Sequence, residues 1–315
     1  MKISAVHMDT ILADVNANMA NAKIRIEEAV NAGTELVLFP EFFTTGFAFM
    51  PKLLDVVVKC ENPQIKLSKW AKQYNVIIGG SYLQYNGKDV LNTFSLTFPN
   101  GEVFTHSKDI PTVFEHFCYT YGDKNNVLET PIGNIGVALC WEQIRYDTVK
   151  RMIGKVDLLL NGSCWWGFCE DDTRDLHDTT KETQTVALNA PIDLAKILHV
   201  PVVHASHFAT FTGLNFPNAD KPQTRMIMGA TQIIDEDGNV IKRRLYNEAA
   251  GIITSDVKYN RLPKNAEHIE TDSYWIPKMP TIFLKGWNVL NPICEKYYQN
   301  VSKPYCIKLY NKLMK

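Results

Sequence analysis

Four consecutive apolar residues, Leu36-Val37-Leu38-Phe39, run directly into Pro40. The run suits a strand buried on both faces and is too short for a helix; proline stops it because it cannot donate to a sheet ladder. A strand covered on both sides needs packed layers around it, which points to an α/β fold. A helical pattern precedes it, with Val15, Met19, Ala22, Ile26, Ala29 and Val30 on one face and Gly33 at its end, and before that Ile3 to Met8 reads as a first strand. Glu41 is therefore delivered to the C-terminal end of a buried strand.

The alternation continues. A helix over about 63–74 precedes a strand from Val76 to Gly80, and a strand from Leu91 to Phe98 meets the turn Pro99-Asn100-Gly101, which predicts an antiparallel hairpin. A second hairpin is signalled by Pro131-Ile132-Gly133-Asn134, and its outgoing arm, Ile135 to Leu139, leads into Cys140. Strands at 156–161 and 202–206, a long helix around 178–198, a hairpin over 232–241 and a strand over 251–257 complete the series. Hairpins mixed with helical crossovers predict mixed sheets covered by helices. From Lys264 onward, Pro277, Pro280, Pro292 and Pro304 interrupt charged and aromatic residues without a strong period. The chain thus divides into a main domain over 1–260 and a C-terminal extension over 261–315, packed on that domain or on a neighbouring subunit.

Composition narrows the partners. With 33 Lys and Arg against 34 Asp and Glu, the net charge of -1 gives no basic excess for nucleic acid or an anionic membrane. No apolar run reaches the ~18 residues of a spanning helix, and the N-terminus reads as a strand, not a signal peptide. Seven cysteines, an odd set, favour free thiols and a reducing, cytoplasmic setting. The triplets Asn161-Gly162-Ser163 and Asn300-Val301-Ser302 are expected to be chance matches to a glycosylation site.

The chemistry concentrates in Lys108-Asp109-Ile110-Pro111-Thr112-Val113-Phe114-Glu115, continuing through Tyr119 to Gly122-Asp123, and in Cys140-Trp141-Glu142. Together with Phe39-Pro40-Glu41-Phe42, these blocks resemble, in order, the Glu, Lys, Cys signature of the nitrilase superfamily of carbon-nitrogen hydrolases, including its second glutamate shortly after the lysine. The spacing K-x-x-P-T-x-x-E and the C-W-E tripeptide are most similar to the nitrilase branch. The resemblance extends to about residue 257 and takes in the late hairpin from Gly229 to Gly238. After Glu142, the sequence Gln143-Ile144-Arg145-Tyr146-Asp147 departs from the family's usual continuation.

The resemblance implies a four-layer α-β-β-α sandwich with two mixed β-sheets and subunits that pair into homo-oligomers; the apolar stretch from Trp287 to Tyr310 is a candidate for crossing to a neighbour. It implies a cofactor-free hydrolase that cleaves a small nitrile, amide or carbamoyl compound at a non-peptide carbon-nitrogen bond. Cys140 would be the nucleophile, Glu41 the general base, Lys108 the stabiliser of developing negative charge, and Glu115 the residue holding Lys108 and substrate. The residue types make chemical sense. A thiol of reference pKa ~8.5 needs a nearby base or positive field, and a desolvated carboxylate can accept its proton. The Trp141 N–H could add an oxyanion donor, and Glu142 could support the site or simply bind Arg145 or a backbone amide.

Two other readings are carried. The same fold could serve as a non-catalytic small-molecule-binding or interaction protein. His204 and His207, near Cys164 and Cys169, could instead build a metal-dependent hydrolase, although the spacing is weak evidence: His204 belongs to a buried strand, where adjacent ligand positions alternate faces, and His207 lies at its exit. Gly79-Gly80 and Gly133-x-x-Gly136 do not form a dinucleotide fingerprint. Trp141, Trp165, Trp166 and Phe168 are either pocket lining or core.

Overall fold

The computed structural model describes residues 1–167, 174–214, 221–259 and 273–315. Cys169, Phe168, Lys264 and the 260/261 division lie outside the described residues. Fifteen strands are described: β1 Lys2–Met8, β2 Leu36–Leu38, β3 Ile77–Tyr85, β4 Val90–Thr97, β5 Val103–Ser107, β6 Val127–Thr130, β7 Gly133–Leu139, β8 Leu158–Gly162, β9 Trp165–Trp166, β10 Val202–His207, β11 Thr210–Gly213, β12 Gln223–Met228, β13 Ala230–Ile234, β14 Val240–Leu245 and β15 Gly251–Asp256. The principal helices before the C-terminal segment are α1 Val15–Asn31, α2 Pro51–Lys59, α3 Pro63–Tyr74, α4 Tyr146–Lys150 and α5 Arg174–Leu198.

Twelve strands form two mixed six-stranded sheets. One runs β5-β4-β3-β2-β1-β15 and the other β14-β13-β10-β8-β7-β6; they are joined where His7 and Met8 of β1 pair with Ser206 and His207 of β10. Between the sheets lies a core that includes Ile3, Ala5, Leu38, Val137, Leu139, Leu160 and Val203. Outside the first sheet, Met19, Ala22 and Ile26 of α1 and Leu67 and Ala71 of α3 pack on Val37 and Phe39. Outside the second, Val149 of α4 and Leu194, Ala195 and Leu198 of α5 pack on Leu159 and Val202. The result is the expected α-β-β-α sandwich. A small sheet, β11-β12-β9, was not anticipated.

Local chemistry explains the element boundaries. The Asp14 carboxylate accepts from Ala17 N at 3.0 Å to cap α1, and Asn62 accepts from Gln64 N at 3.1 Å to cap α3. Proline opens both α2 and α3, where its missing N–H costs nothing. Helix α2 escaped the sequence reading because Leu53, Leu54, Val57 and Val58 give only two turns of pattern.

The C-terminal segment is more regular than its prolines suggest. Helices Thr281–Lys285, Asn291–Tyr297 and Lys303–Leu313 are joined by π turns Gly286–Leu290 and Tyr298–Ser302. Each π turn stands just before a proline, Pro292 or Pro304, and the wider turn accommodates a ring that has no N–H to donate. The segment lies against its own chain: the Tyr298 hydroxyl accepts from Val90 N at 2.8 Å, and Ser302 donates to Phe117 O at 2.6 Å. No described helix is long and apolar enough to cross a membrane.

Candidate active site

Glu41, Lys108 and Cys140 each follow the C-terminal end of a strand, β2, β5 and β7 respectively. The sheets bring these ends together. Cys140 has φ +50°, and so opens the turn Cys140–Ile144 in a conformation that side chains other than glycine rarely adopt. Phe42, beside Glu41, has φ +56°, and Val113, two residues before Glu115, has φ +47°. Strained backbone thus recurs around the site. Gly162 is required for a different reason: a Cβ there would stand 2.7 Å from Glu41 N. Gly122 plays the same part beside Lys108, since its Cβ would stand 2.2 Å from Ser107 O.

Lys108 Nζ donates to Glu41 Oε1 at 2.9 Å and to Glu115 Oε2 at 2.7 Å. One carboxylate oxygen from each glutamate and the Cys140 sulfur all lie within 4.8 Å of one another. All four side chains are buried. Glu41 also accepts from Asn92 Nδ2 at 2.9 Å and from Cys164 N at 3.0 Å. Glu115 reaches back to Thr112 N at 2.9 Å and accepts from the Tyr119 hydroxyl. Asn92 was missed in the sequence because one polar residue inside a strand carries no marker of its direction.

Burial, partly offset by Lys108, pushes the Glu41 carboxyl up to about 7. The Cys140 thiol is held well above its ordinary value by burial and by the Glu41 charge. Lys108 is lowered by burial, but Glu115 and Glu41 outweigh that and keep the ammonium protonated. The resting arrangement is therefore a neutral thiol beside a carboxylate of near-neutral pKa and a fixed cation.

Glu142 does not bind Arg145. Its carboxylate accepts from Leu139 N and Asp109 N, both at 2.8 Å, and meets His106 Nε2 at 3.0 and 3.1 Å. Leu139 precedes the cysteine and Asp109 follows the lysine, so one carboxylate ties together the two strand ends. Arg145 instead pairs with Asp109, which Arg151 and Thr148 also engage. Burial lowers His106, but Glu142 and Asp123 outweigh it and raise the imidazole to about 10 from its ordinary 6.5. The ring also bonds Asn125 O at 3.0 Å. Stability from this raised pKa is fully present below about 6.5 and is lost as pH rises through about 10. Glu142→Gln leaves a buried cation short of its partner and is expected to cost about 3–5 kcal/mol. Thermal unfolding measured from pH 6 to 10 should show a flatter profile in the variant; an unchanged profile would remove Glu142 from the linkage.

A cavity of about 310 Å³ opens over Cys140 and Glu115. Trp141, Trp165 and Trp166 line it, together with Phe114 and, from the C-terminal segment, Ile282, Phe283, Gly286 and Leu290. The sequence suggested the tryptophans; the C-terminal wall had no sequence signal.

The histidines of the metal reading are otherwise engaged. His204 bonds Ala230 O and Ser163 Oγ, and His207 bonds Thr10 Oγ1 and the Glu41 carbonyl. The grouping of possible metal ligands among the described residues is Glu41, Glu115 and Cys140, and there the Lys108 ammonium already supplies the positive charge. Asn161 is fully buried, out of reach of a glycan.

The fold is shared with known proteins. The chain belongs to the carbon-nitrogen hydrolase family, whose pattern it matches over residues 2–264. It is 29% identical over 164 residues to nitrilase 2 of Arabidopsis thaliana, covering 45% of this chain and 48% of that protein. A bifunctional nitrilase/nitrile hydratase of Lupinus angustifolius is 26% identical over a stretch of the same length, covering 45% of this chain and 47% of that protein. The chain thus spans about half the length of the curated relatives it matches. Among solved structures, a carbon-nitrogen hydrolase from Helicobacter pylori G27 superposes with a TM-score of 0.67 at 14% identity, covering 100% of this chain and 98% of that one. An amidase from Nesterenkonia sp. AN1, in an E41Q mutant with acrylamide added at its active-site cysteine, gives 0.64 at 14% identity, covering 82% of this chain and 93% of that one.

Proposed function

We propose that the protein hydrolyses a non-peptide carbon-nitrogen bond of a small nitrile, amide or carbamoyl compound through a covalent intermediate on Cys140. The observation that carries this is the shared ammonium: Lys108 bonds both Glu41 and Glu115, with the Cys140 sulfur within 4.8 Å of an oxygen of each. Cys140 attacks the electrophilic carbon while Glu41 takes the thiol proton. Two of the three ammonium N–H groups are held by carboxylates, and the third serves the negative charge growing on the substrate oxygen or nitrogen. The Trp141 N–H, in the first turn after the nucleophile, is the second donor. Glu41 returns its proton to the departing ammonia or amine and then activates water, and Glu115 keeps Lys108 and the substrate aligned. An amide passes through a tetrahedral adduct to a thioester; a nitrile first gives a thioimidate. No cofactor enters.

Ammonia release from a panel of nitriles, primary amides and N-carbamoyl compounds tests this reading. Turnover of at least one class is expected; an intact fold with a reactive thiol and no turnover would favour the binding-protein alternative. The six described cysteines are free thiols, which supports a reducing, cytoplasmic setting. Exposed Val289, Ile293, Val301 and Tyr305 support assembly into at least a homodimer, to be checked as solution mass against concentration; a monomer throughout would exclude it.

A further inference from the structure

We infer that the pocket selects substrates whose acyl side is an aromatic ring, an aryl or arylalkyl group, over short aliphatic and over charged carbamoyl compounds. This rests on the hydrolytic reading above, and deepens it. Cys140 and Glu115 reach the surface of the cavity. Five aromatic rings, those of Phe114, Trp141, Trp165, Trp166 and Phe283, contribute to the remaining lining. Phe114 and Trp166 stack at 6.5 Å with 15° between their planes. Trp141 and Trp165 stand 6.1 Å apart at 43°, and Phe283 meets Trp141 edge-on at 5.7 Å and 74°.

These rings are held before any ligand arrives. Trp166 also packs at 5.4 Å on Phe47, and Trp141 stacks on Trp287 at 5.9 Å and meets Trp275 edge-on at 5.6 Å. Side chains fixed in this way lose little freedom on binding, so an aromatic guest meets preformed faces and edges. A small aliphatic acyl group would leave most of these walls in water. A carboxylate-bearing substrate would need a cation, and Arg225, which also lines the cavity, already donates to Gly167 O at 3.3 Å and to Gln223.

Binding can be read without turnover in the Cys140→Ser protein, by titration with phenylacetamide, acetamide and N-carbamoylglycine. Phenylacetamide is expected to bind at least about tenfold more tightly than acetamide, the ratio that burying one ring supports. Phe283→Ala in the same background should shrink that ratio severalfold. Phe283→Leu, which keeps apolar bulk, provides the comparison if the alanine protein is poorly folded, and should shrink the ratio less. Equal binding of the two amides, tighter binding of N-carbamoylglycine, or a ratio indifferent to both substitutions would each overturn the inference. A failure of the hydrolytic reading looks different: phenylacetamide would bind selectively, yet the unmodified enzyme would release no ammonia from it or from phenylacetonitrile.

Discussion

Replacing Cys140 with serine is expected to reduce turnover by about 10⁴-fold or more while leaving the fold in place. The two side chains are close in volume, and the site is already buried, so packing changes little. Proton transfer is what changes. Glu41, with its pKa near 7, can accept a proton from a thiol as the carbon–sulfur bond forms, whereas a serine hydroxyl is a far weaker acid and a poorer nucleophile. The measurement pairs steady-state ammonia release with intact-protein mass spectrometry and peptide mapping. In the unmodified protein an acyl or thioimidate adduct should map to Cys140 and to none of the other six cysteines of the chain. Substantial turnover by Cys140→Ser, or an adduct on another cysteine, would falsify the assignment.

Glu41→Gln should lower turnover by about 10²–10⁴-fold, the usual contribution of a positioned base. Its signature lies in pH. The base acts when ionised, so kcat/KM in the unmodified enzyme should rise with pH through about 7, where the Glu41 carboxyl titrates. Glutamine has no such group, and the residual rate should lose that limb. Stability follows the opposite direction. A carboxyl whose folded-state pKa is raised contributes stability that is fully present below its ordinary 4.5 and is lost as pH rises through about 7. The variant should therefore show a flatter stability profile across that interval. A kinetic limb near pH 7 that survives in Glu41→Gln would assign the titration to another group.

Much of this was legible in the sequence, for identifiable reasons. The run Leu36 to Phe39 and the arms around Pro99 and Gly133 announced buried strands and tight turns, because strand burial and turn geometry are local demands. Glu41, Lys108, Cys140 and Glu115 were found through ordered motifs, and the structure brings them together. Asn92 and His106 were not, since each makes its contact across a sheet or between distant strands, at separations of 51 and 36 residues, where no local spacing rule applies. For Glu142, of the two partners the sequence offered, Arg145 or a backbone amide, the structure shows the second, with Leu139 N and Asp109 N both donating to it, and adds the His106 imidazole, which no local spacing announced. The C-terminal helices were obscured by their prolines, whose effect is absorbed by π turns that no periodicity reveals.

The cavity over Cys140 is built from two lengths of chain. The groups proposed to break the bond all lie within residues 2–264, the stretch that matches the family, whereas Ile282, Phe283, Gly286 and Leu290 reach the same cavity from beyond it. One wall of the cavity is thus written on a separate length of chain from the tryptophans and Phe114 that form the rest of its aromatic lining. Changes in the tail can therefore reshape that wall while leaving Glu41, Lys108, Glu115 and Cys140 in place.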